Sequence, residues 1–215
     1  SFTITPNTGY HILDVLVDGV SVGAVTSYSF EAVSADHTIA ASFAINTYTL
    51  TVVQPTGGSI TPPTATYDYG TLVSLTAVPD LGYHFVEWTG VCSGSGTCSV
   101  TMDADKTVSA VFALNTYTIT ATAGVGGTIS PSGDIPVNYG ADQSFTITPN
   151  TGYHILDVLV DGVSVGAVTS YSFEAVSADH TIAASFAINT YTLTVVQPTG
   201  GSITPPTATY DYGTL

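Results

Sequence analysis

Cationic side chains are almost missing from this sequence, which has one lysine, Lys106, and no arginine against sixteen aspartate and glutamate residues. The formal net charge is -15 at pH 7. Nucleic acids and anionic membrane surfaces are bound mainly through Lys and Arg side chains that neutralise phosphates. The composition therefore excludes a nucleic-acid-binding protein, and it predicts chains that repel one another at low ionic strength.

Long apolar segments are also missing. No run approaches the roughly 18 residues that a membrane helix requires, and the first residues lack the basic and apolar pattern of a signal segment. We therefore expect no membrane insertion within this sequence, and we expect targeting and anchoring segments to lie outside it.

The residues that usually build helices are scarce, since only 8% of the chain is charged while 44% is hydrophobic. Thr, Ser, Val and Tyr dominate instead, and apolar residues alternate with polar ones in segments such as TYTLTVV, HFVEW and TVSAVF. Turn sequences such as PTGG and the Asp161-Gly162 pair separate these segments. This pattern predicts an all-β chain whose units each have about six short antiparallel strands, in a small sandwich or a β-grasp-like sheet.

The chain has only two cysteines, Cys92 and Cys98, which flank five small or polar residues in the segment VCSGSGTCSV. This spacing favours a short hairpin disulfide, which implies an oxidising, extracellular setting. Two free thiols on a loop are the alternative, because closely spaced cysteines also occur in cytosolic metal sites.

What the sequence has in abundance is repetition: residues 1–72 recur without a single change at residues 144–215, a period of 143 residues. An older repeat lies inside this period. The segment NTYTLTVVQPTGGSITPP at 46–63 aligns with NTYTITATAGVGGTISPS at 115–132, and the similarity continues downstream. The chain is therefore a tandem array of units of about 70 residues, in which two unit types alternate.

We name the two unit types A and B, and B carries the cysteines. The predicted domains are the second part of an A unit at 1–45, a B unit at 46–114, an A unit at 115–188, and the first part of a B unit at 189–215. A permuted phase divides the same chain into 1–73, 74–143 and 144–215.

A unit of this size buries about 60% of its unfolded surface and is marginally stable alone, so neighbours must support each other. The joints FALNTYT and FAINTYT contain no Pro, Gly or Ser linker. We therefore predict a stiff array of repeats that transmits load, rather than domains on flexible tethers.

The segment GYHFVEWTGVCSGSGTCSVTMDADKTVSAVF at 82–112, together with the opening strand, the GGSITP turn and the YDYG segment before it, resembles the divergent internalin-type B repeat of bacterial surface proteins. Trp88 stands at the family's tryptophan position. The A unit departs from the pattern, with HILDVLVDG in place of the Trp-containing strand and no cysteines. The resemblance implies a tandem β-repeat on the cell surface that acts as stalk, spacer or adhesive array, and it implies no catalytic residues.

Candidate metal ligands are sparse. Asp103 and Asp105, with the spaced pair Asp157 and Asp161, are weak calcium candidates, and turn-forming aspartate is the alternative interpretation. A single histidine at each GYH position (His11, His84 and His154) is too few for zinc. We predict no other cofactor.

Candidate catalytic groups are equally sparse. Ser21 and Ser164 lie in G-x-S-x-G segments, but the surrounding pattern predicts a hairpin and not the strand-to-helix elbow of a nucleophilic serine. Glu87 is the only Glu of the B unit, so no carboxylate pair for glycoside hydrolysis is evident. We predict Trp88 in the core and Lys106 as a solvated turn residue.

These observations predict a non-enzymatic, extracellular structural repeat that forms a rod, stalk or filament on the cell surface. Its partners would be neighbouring repeats, up to a homopolymer or fibre. The alternative is an adhesin, in which a repeated face bearing Tyr or Asp binds surface glycans or host proteins.

Overall fold

The computed structural model describes residues 1–214, so Leu215, the last residue of the predicted segment 189–215, lies outside the described residues. Within the described residues the secondary structure consists of 22 β-strands and no helix. The prediction of an all-β tandem repeat is confirmed. The chain divides into two compact units, of which the first is residues 1–113 and the second begins at Leu114.

The first unit contains an incomplete A repeat, here called the closing A half (residues 1–45), and a complete B repeat. The closing A half has five strands, which are β1 (Phe2–Thr3), β2 (Tyr10–Val17), β3 (Val20–Gly23), β4 (Ser27–Tyr28) and β5 (Ile39–Ile45). The complete B repeat has seven, which are β6 (Thr47–Val52), β7 (Gly58–Thr61), β8 (Ala65–Asp68), β9 (Leu72–Pro79), β10 (Tyr83–Gly90), β11 (Cys98–Thr101) and β12 (Lys106–Leu114).

The second unit contains a complete A repeat and an incomplete B repeat, here called the opening B half (residues 189–214). The complete A repeat has eight strands, which are β13 (Thr116–Ala123), β14 (Gly127–Ser130), β15 (Gly133–Asn138), β16 (Gln143–Pro149), β17 (Tyr153–Val160), β18 (Val163–Gly166), β19 (Ser170–Phe173) and β20 (His180–Ile188). The opening B half has two, which are β21 (Thr190–Leu193) and β22 (Ala208–Asp211).

Each complete repeat is a two-sheet sandwich. In the B repeat the strands alternate between a sheet of order β10-β12-β6-β8 and a sheet of order β11-β9-β7. The A repeat has a similar arrangement, with sheets of order β15-β13-β20-β17-β18 and β14-β16-β19, and its extra strand β18 follows β17 in the same sheet. Alternating apolar residues of both sheets face each other, as in other sandwiches.

The first and last strands of each repeat pair in parallel, although the sequence predicted only antiparallel strands. Leu50 of β6 lies opposite Lys106 of β12, and Ile119 of β13 lies opposite His180 of β20. These pairs join residues at opposite ends of a repeat. Period-2 alternation reports which residues face the core, but it carries no information on the direction of a distant partner strand, which is why the parallel pair was missed.

The core of the B repeat lies between its two sheets, where Leu50, Met102 and Val108 are fully buried. Trp88 packs in the same core, as predicted. No polar or charged side chain is buried among residues 1–214. Stability of each repeat therefore rests on apolar packing and on backbone hydrogen bonds.

The predicted Asp-Gly hairpin of the A unit is confirmed. Asp161 and Gly162, with φ of 49° and 78°, connect β17 to β18, and Asp18 and Gly19 adopt nearly the same angles in the closing A half. Positive φ at both central residues is the geometry of a type I′ turn, whose twist matches that of the strands it joins.

Candidate functional site at the repeat junctions

Consecutive repeats are joined by a single residue. In the first unit β5 ends at Ile45 and β6 begins at Thr47, so Asn46 alone links the closing A half to the B repeat. In the second unit Asn189 occupies the same place between β20 and β21. A one-residue connection leaves almost no length for independent motion of the two flanking strands.

Asn46 is held on three sides by hydrogen bonds to both of its neighbouring repeats. Its N–H donates to the carbonyl oxygen of Gly9 at 2.7 Å, and its own carbonyl oxygen accepts from the N–H of Tyr69 at 2.8 Å. Its Oδ1 lies 2.8 Å from Nδ1 of His11 and accepts a hydrogen bond from that ring nitrogen. The linking residue is therefore fixed to a turn of one repeat and a strand end of the next.

A tyrosine ring covers the turn of the preceding repeat. Gly9 has φ of +82°, and a Cβ at this position would overlap the ring of Tyr69. The ring of Tyr48 stands 6.4 Å from that of Tyr69 and supports it from the side. Glycine is required at this position both for the backbone angle and for the close approach of the ring.

The second unit repeats this arrangement in detail. The N–H of Asn189 donates to Gly152 O and its carbonyl oxygen accepts from Tyr212 N–H, both at 2.8 Å. Nδ1 of His154 lies 2.9 Å from Asn189 Oδ1. Gly152 has φ of +83°, and its missing Cβ again leaves room for the ring of Tyr212. The junction is thus a recurring structural element of this chain.

Sequence reasoning did not predict the role of the histidines in these junctions. The sequence suggests His11 and His154 only as insufficient zinc ligands, whereas each binds the linking asparagine of the next repeat. The available signal was that every GYH segment is followed by an NTY segment at the next unit boundary. The two segments therefore recur together, but their recurrence does not show which of their residues are in contact.

The B repeat carries a disulfide-closed loop over its tryptophan. Cys92 and Cys98 are bonded, as predicted, with their Cα atoms 5.7 Å apart. The indole N–H of Trp88 donates to the carbonyl oxygen of Gly96 inside this loop at 2.9 Å, and the backbone N–H of Trp88 donates to Gly94 O. The disulfide therefore stabilises the loop whose carbonyl oxygen accepts the hydrogen bond of the Trp88 indole N–H, the only polar group of this buried ring.

We predict that Cys92→Ala lowers the free energy of unfolding of the first unit by about 2 kcal/mol, the loop-entropy value for a short closed loop. The variant spares Cys98, which is buried in the core and tolerates a thiol. Urea unfolding followed by Trp88 fluorescence measures the change. The second unit has no cysteine and serves as an internal control, so hydrogen exchange in residues 116–138, which occur once in the chain, should not change.

The carboxylates of all four calcium candidates already form hydrogen bonds or an ion pair within the protein. Asp103 pairs with Lys106 at 2.6 Å, Asp105 accepts from Thr49 N–H at 2.7 Å, and Asp157 accepts from the hydroxyl of Ser164 at 2.7 Å. No group of three or more His, Cys, Asp or Glu side chains suited to a metal ion occurs among residues 1–214. Calcium binding therefore stays a prediction, for which the geometry supplies no converging ligand set.

Asp161 belongs to a carboxylate–imidazole pair that is specific to A units. Its Oδ2 lies 2.7 Å from Nδ1 of His180, its Oδ1 accepts from Thr181 N–H, and the His180 ring packs 4.9 Å from that of Phe173. The pair recurs at the identical residues Asp18 and His37.

The pKa of both carboxyls lies below the ordinary value. In Asp18 the His37 hydrogen bond is the main cause of the low pKa, followed by the N–H of Thr38. In Asp161 burial acts most strongly and raises the pKa, but the hydrogen bonds from Thr181 and His180 together outweigh it.

A carboxyl whose pKa is lower in the folded than in the unfolded state stabilises the folded protein at pH values above its unfolded-state pKa. This stabilisation is lost as the pH falls through the folded-state pKa. We therefore expect the double variant Asp18→Asn, Asp161→Asn to lose less stability than the parent between about pH 4 and pH 2. Asparagine tolerates the positive φ of both positions. Thermal melts across this range measure the slope, and Asp80→Asn, at an exposed turn, shows how much of the change follows from removing one carboxylate charge. Equal slopes in parent and double variant would contradict the prediction.

The remaining candidates lie outside the junctions. Ser164 lies on β18 and donates to Asp157, and Ser21 donates to Asp14 in the same way on β3, so both serines occupy hairpin strands. Lys106 was predicted as a solvated turn residue. It is the first residue of β12, where it pairs with Asp103 and donates to the carbonyl oxygen of Thr101.

Comparison with known proteins places the chain in a family. The family model of the divergent InlB B-repeat domain matches residues 48–116 and again residues 117–190. The chain therefore belongs to the divergent InlB B-repeat family, whose members are typical of bacterial surface proteins. Neither curated proteins nor solved structures gave a match. The described residues contain no helix long and apolar enough to cross a membrane.

Proposed function

We propose that this chain is a load-bearing, non-enzymatic segment of an extracellular stalk or filament. The observation that carries the proposal is the junction, in which Asn46 and Asn189 each tie a strand end of one repeat to a turn of its neighbour. A flexible linker of Gly and Ser behaves as a random coil and lets domains reorient freely. By contrast, a single linking residue whose N–H, C=O and side chain are all hydrogen-bonded restricts the reorientation of the repeats that it joins.

The path of the chain through a repeat favours the same role. Each repeat enters through its first strand and leaves through its last, and these two strands lie side by side in the middle of one sheet. Load applied along the chain therefore acts on the central pairs, β6 with β12 and β13 with β20, and not on an edge strand. Central strands are the most protected part of a sheet.

The remaining observations that favour the proposal concern an extracellular location of the protein. A disulfide persists in an oxidising, extracytoplasmic environment, and the family is typical of bacterial surface proteins. A chain with one cationic residue besides histidine offers a single cleavage site to proteases that cut after Lys or Arg. The strongly acidic surface keeps exposed arrays apart at low salt.

Electron microscopy of the native arrays, with and without a calcium chelator, tests the proposal. We expect regular filaments or stalks whose axial spacing fits one or two repeats. Loss of order on chelation would support the calcium prediction for the aspartates. Flexible chains with variable spacing would overturn the load-bearing role, and glycan binding by repeats without axial order would favour the adhesin.

A second experiment tests the junction itself. Inserting Gly-Ser-Gly-Ser after Asn46 and after Asn189 should widen the distribution of particle dimensions in small-angle X-ray scattering. The matched control inserts the same four residues between Ser177 and Ala178, in an exposed loop of the complete A repeat. Equal scattering from both variants would contradict a stiffening role of the junction.

A further inference from the structure

Strand β9 of the complete B repeat has an open edge over the second part of its length. It pairs with β11 through residues 72–75 and with β7 through residues 76–79. Ala77 therefore has a partner strand on one side only, where it lies opposite Ile60. On its other side is a surface cavity, here called the β9 cavity.

The backbone groups of Ala77 point toward the β9 cavity and not toward β7. Two residues that face each other across antiparallel strands exchange either both of their backbone hydrogen bonds or neither. The N–H and C=O of Ile60 are both bonded to the side-chain amide of Gln54, each at 2.9 Å. The pair of Ile60 and Ala77 therefore exchanges neither bond, and the N–H and C=O of Ala77 face the opposite edge of β9.

The complete A repeat closes the same edge with its own chain. The counterpart of Ala77 there is Ile147, whose N–H donates to the carbonyl oxygen of Thr169 at 2.8 Å. Val168, the residue before Thr169, packs against the core of the A repeat. The A repeat thus shows what fits beside this strand, namely an extended segment with a valine side chain.

In the B repeat the tryptophan occupies the carbonyl group that would close the edge. Gly96 lies two residues before the cysteine that pairs with β9, as Thr169 lies two residues before the tyrosine that pairs with β16. The carbonyl oxygen of Gly96 accepts the indole N–H of Trp88 at 2.9 Å. Among residues 1–214, no loop carbonyl accepts a hydrogen bond from the N–H of Ala77.

The β9 cavity has a volume of about 450 Å³ and an aromatic floor. The floor consists of Phe85 and Trp88, whose ring centroids are 5.3 Å apart. Ser95 lines the cavity at the position where the A repeat has Val168, so the B repeat has no apolar side chain of its own for this place. Ligand pockets of proteins have volumes of about 300–1,000 Å³ and are mostly apolar, with a few placed polar groups.

We infer that the β9 cavity binds an extended peptide segment of a partner protein. A carbonyl oxygen of the peptide accepts the hydrogen bond of the Ala77 N–H, and a branched apolar side chain of the peptide packs on Phe85 and Trp88. In such strand addition the backbone bonds supply affinity and the side-chain pocket supplies selectivity.

The charge of the chain favours a cationic partner. The net charge of -15 attracts Lys- and Arg-bearing segments and repels acidic ones. The site lies within the B repeat, and it goes beyond the stalk or filament role without resting on it.

An NMR titration of the ¹⁵N-labelled 215-residue chain tests the inference. The probe is the capped synthetic peptide KGAVTSK, which places residues 166–170 of the A repeat between two lysines. We expect saturable shifts of the Ala77 amide and the Trp88 indole N–H, together with slower hydrogen exchange at Ala77. Added salt should weaken the binding, because it screens the attraction between the lysines and the acidic chain.

Two loop variants separate the β9 cavity from general charge attraction. Ser95→Val restores the valine of the A repeat and should weaken binding of the probe by about tenfold or more, because the cavity is then filled from within. Ser93→Val, in the same exposed loop but outside the cavity lining, is the matched control and should bind like the parent. Unchanged thermal melting shows that both variants are folded.

A second probe tests the valine itself. The peptide KGAGTSK has the same charge without the branched side chain, so it should bind about tenfold more weakly or less, given the free energy of burying a valine side chain.

Several outcomes would overturn the inference. One is a probe that gives no saturable shift at millimolar concentration. Another is a set of shifts scattered over the aspartates and unaffected by Ser95→Val, which would show charge attraction alone. If a chitin oligosaccharide shifts the Trp88 indole signal and the peptide does not, the cavity binds glycan instead. None of these results bears on the stalk proposal, which the linker insertions test separately.

Discussion

In a polypeptide of residues 1–215, Phe145→Ala is expected to lower the free energy of unfolding of the complete A repeat by about 3–5 kcal/mol, whereas Phe2→Ala changes the stability of the first unit by less than about 1 kcal/mol. Truncating a fully buried phenylalanine removes its transfer free energy and leaves a cavity. Phe145 contacts Phe173 edge to face with ring centroids 5.9 Å apart inside the core. Phe2 is the same residue in the same sequence, but half of its surface is exposed.

The comparison is unusually well controlled because local sequence is constant. Intrinsic strand propensity, neighbouring residues and the unfolded chain are the same at positions 2 and 145, so only the missing half of the repeat separates the two variants. Differential scanning calorimetry at low protein and salt concentration measures both. A loss of about 3 kcal/mol corresponds to a fall of more than about 12 °C in the melting temperature of a domain of this size.

Hydrogen exchange assigns the effect to a unit. Residues 116–138, which occur once in the chain, report on the complete A repeat, and residues 74–101 report on the complete B repeat. Phe145→Ala should accelerate exchange in the first segment only. Equal destabilisation by the two substitutions would show that Phe2 is buried in solution even under dilute conditions, contrary to the structure.

Much of this architecture is predictable from sequence because it depends on local patterns. The alternation in TYTLTVV predicts a strand, and its Leu50 is indeed in the core. The Asp161-Gly162 pair predicts a type I′ hairpin from the φ preferences of two residues. The spacing of Cys92 and Cys98 predicts a bond that closes one short loop. Each of these conclusions needs only a few neighbouring residues.

What sequence reasoning missed depends on residues far apart in the chain. The parallel pairing of Leu50 with Lys106 and the contact of His11 with Asn46 join segments that have no local signature of their partnership. Phe2 and Phe145 make the point most directly, since a sequence window around either residue is the same while their burial is opposite. Burial in a repeat array is decided by the neighbouring segment, which composition and periodicity do not reveal.

The junction predicts a second large effect, for Gly152→Ala. This variant should destabilise the second unit by about 2–5 kcal/mol, the sum of two costs. A residue with a Cβ at φ of +83° costs about 1–2 kcal/mol in backbone strain. The Cβ must also displace the ring of Tyr212, and forcing atoms into a packed site costs about 1–3 kcal/mol more.

Gly140→Ala separates these two costs. Gly140 lies in the same complete A repeat with φ of +76°, and a Cβ there would have no heavy atom within 4 Å. It should therefore show the strain of about 1–2 kcal/mol alone.

Amide exchange of Asn189 and Tyr212 gives the readout specific to the junction, because their N–H groups donate to Gly152 O and Asn189 O. Exchange at both amides should rise sharply in Gly152→Ala and stay at the parent rate in Gly140→Ala. If the two variants were equally destabilised and both amides stayed protected, the tyrosine ring would contribute nothing to holding the repeats together. Stiffness would then rest on the hydrogen bonds of the linking asparagine alone.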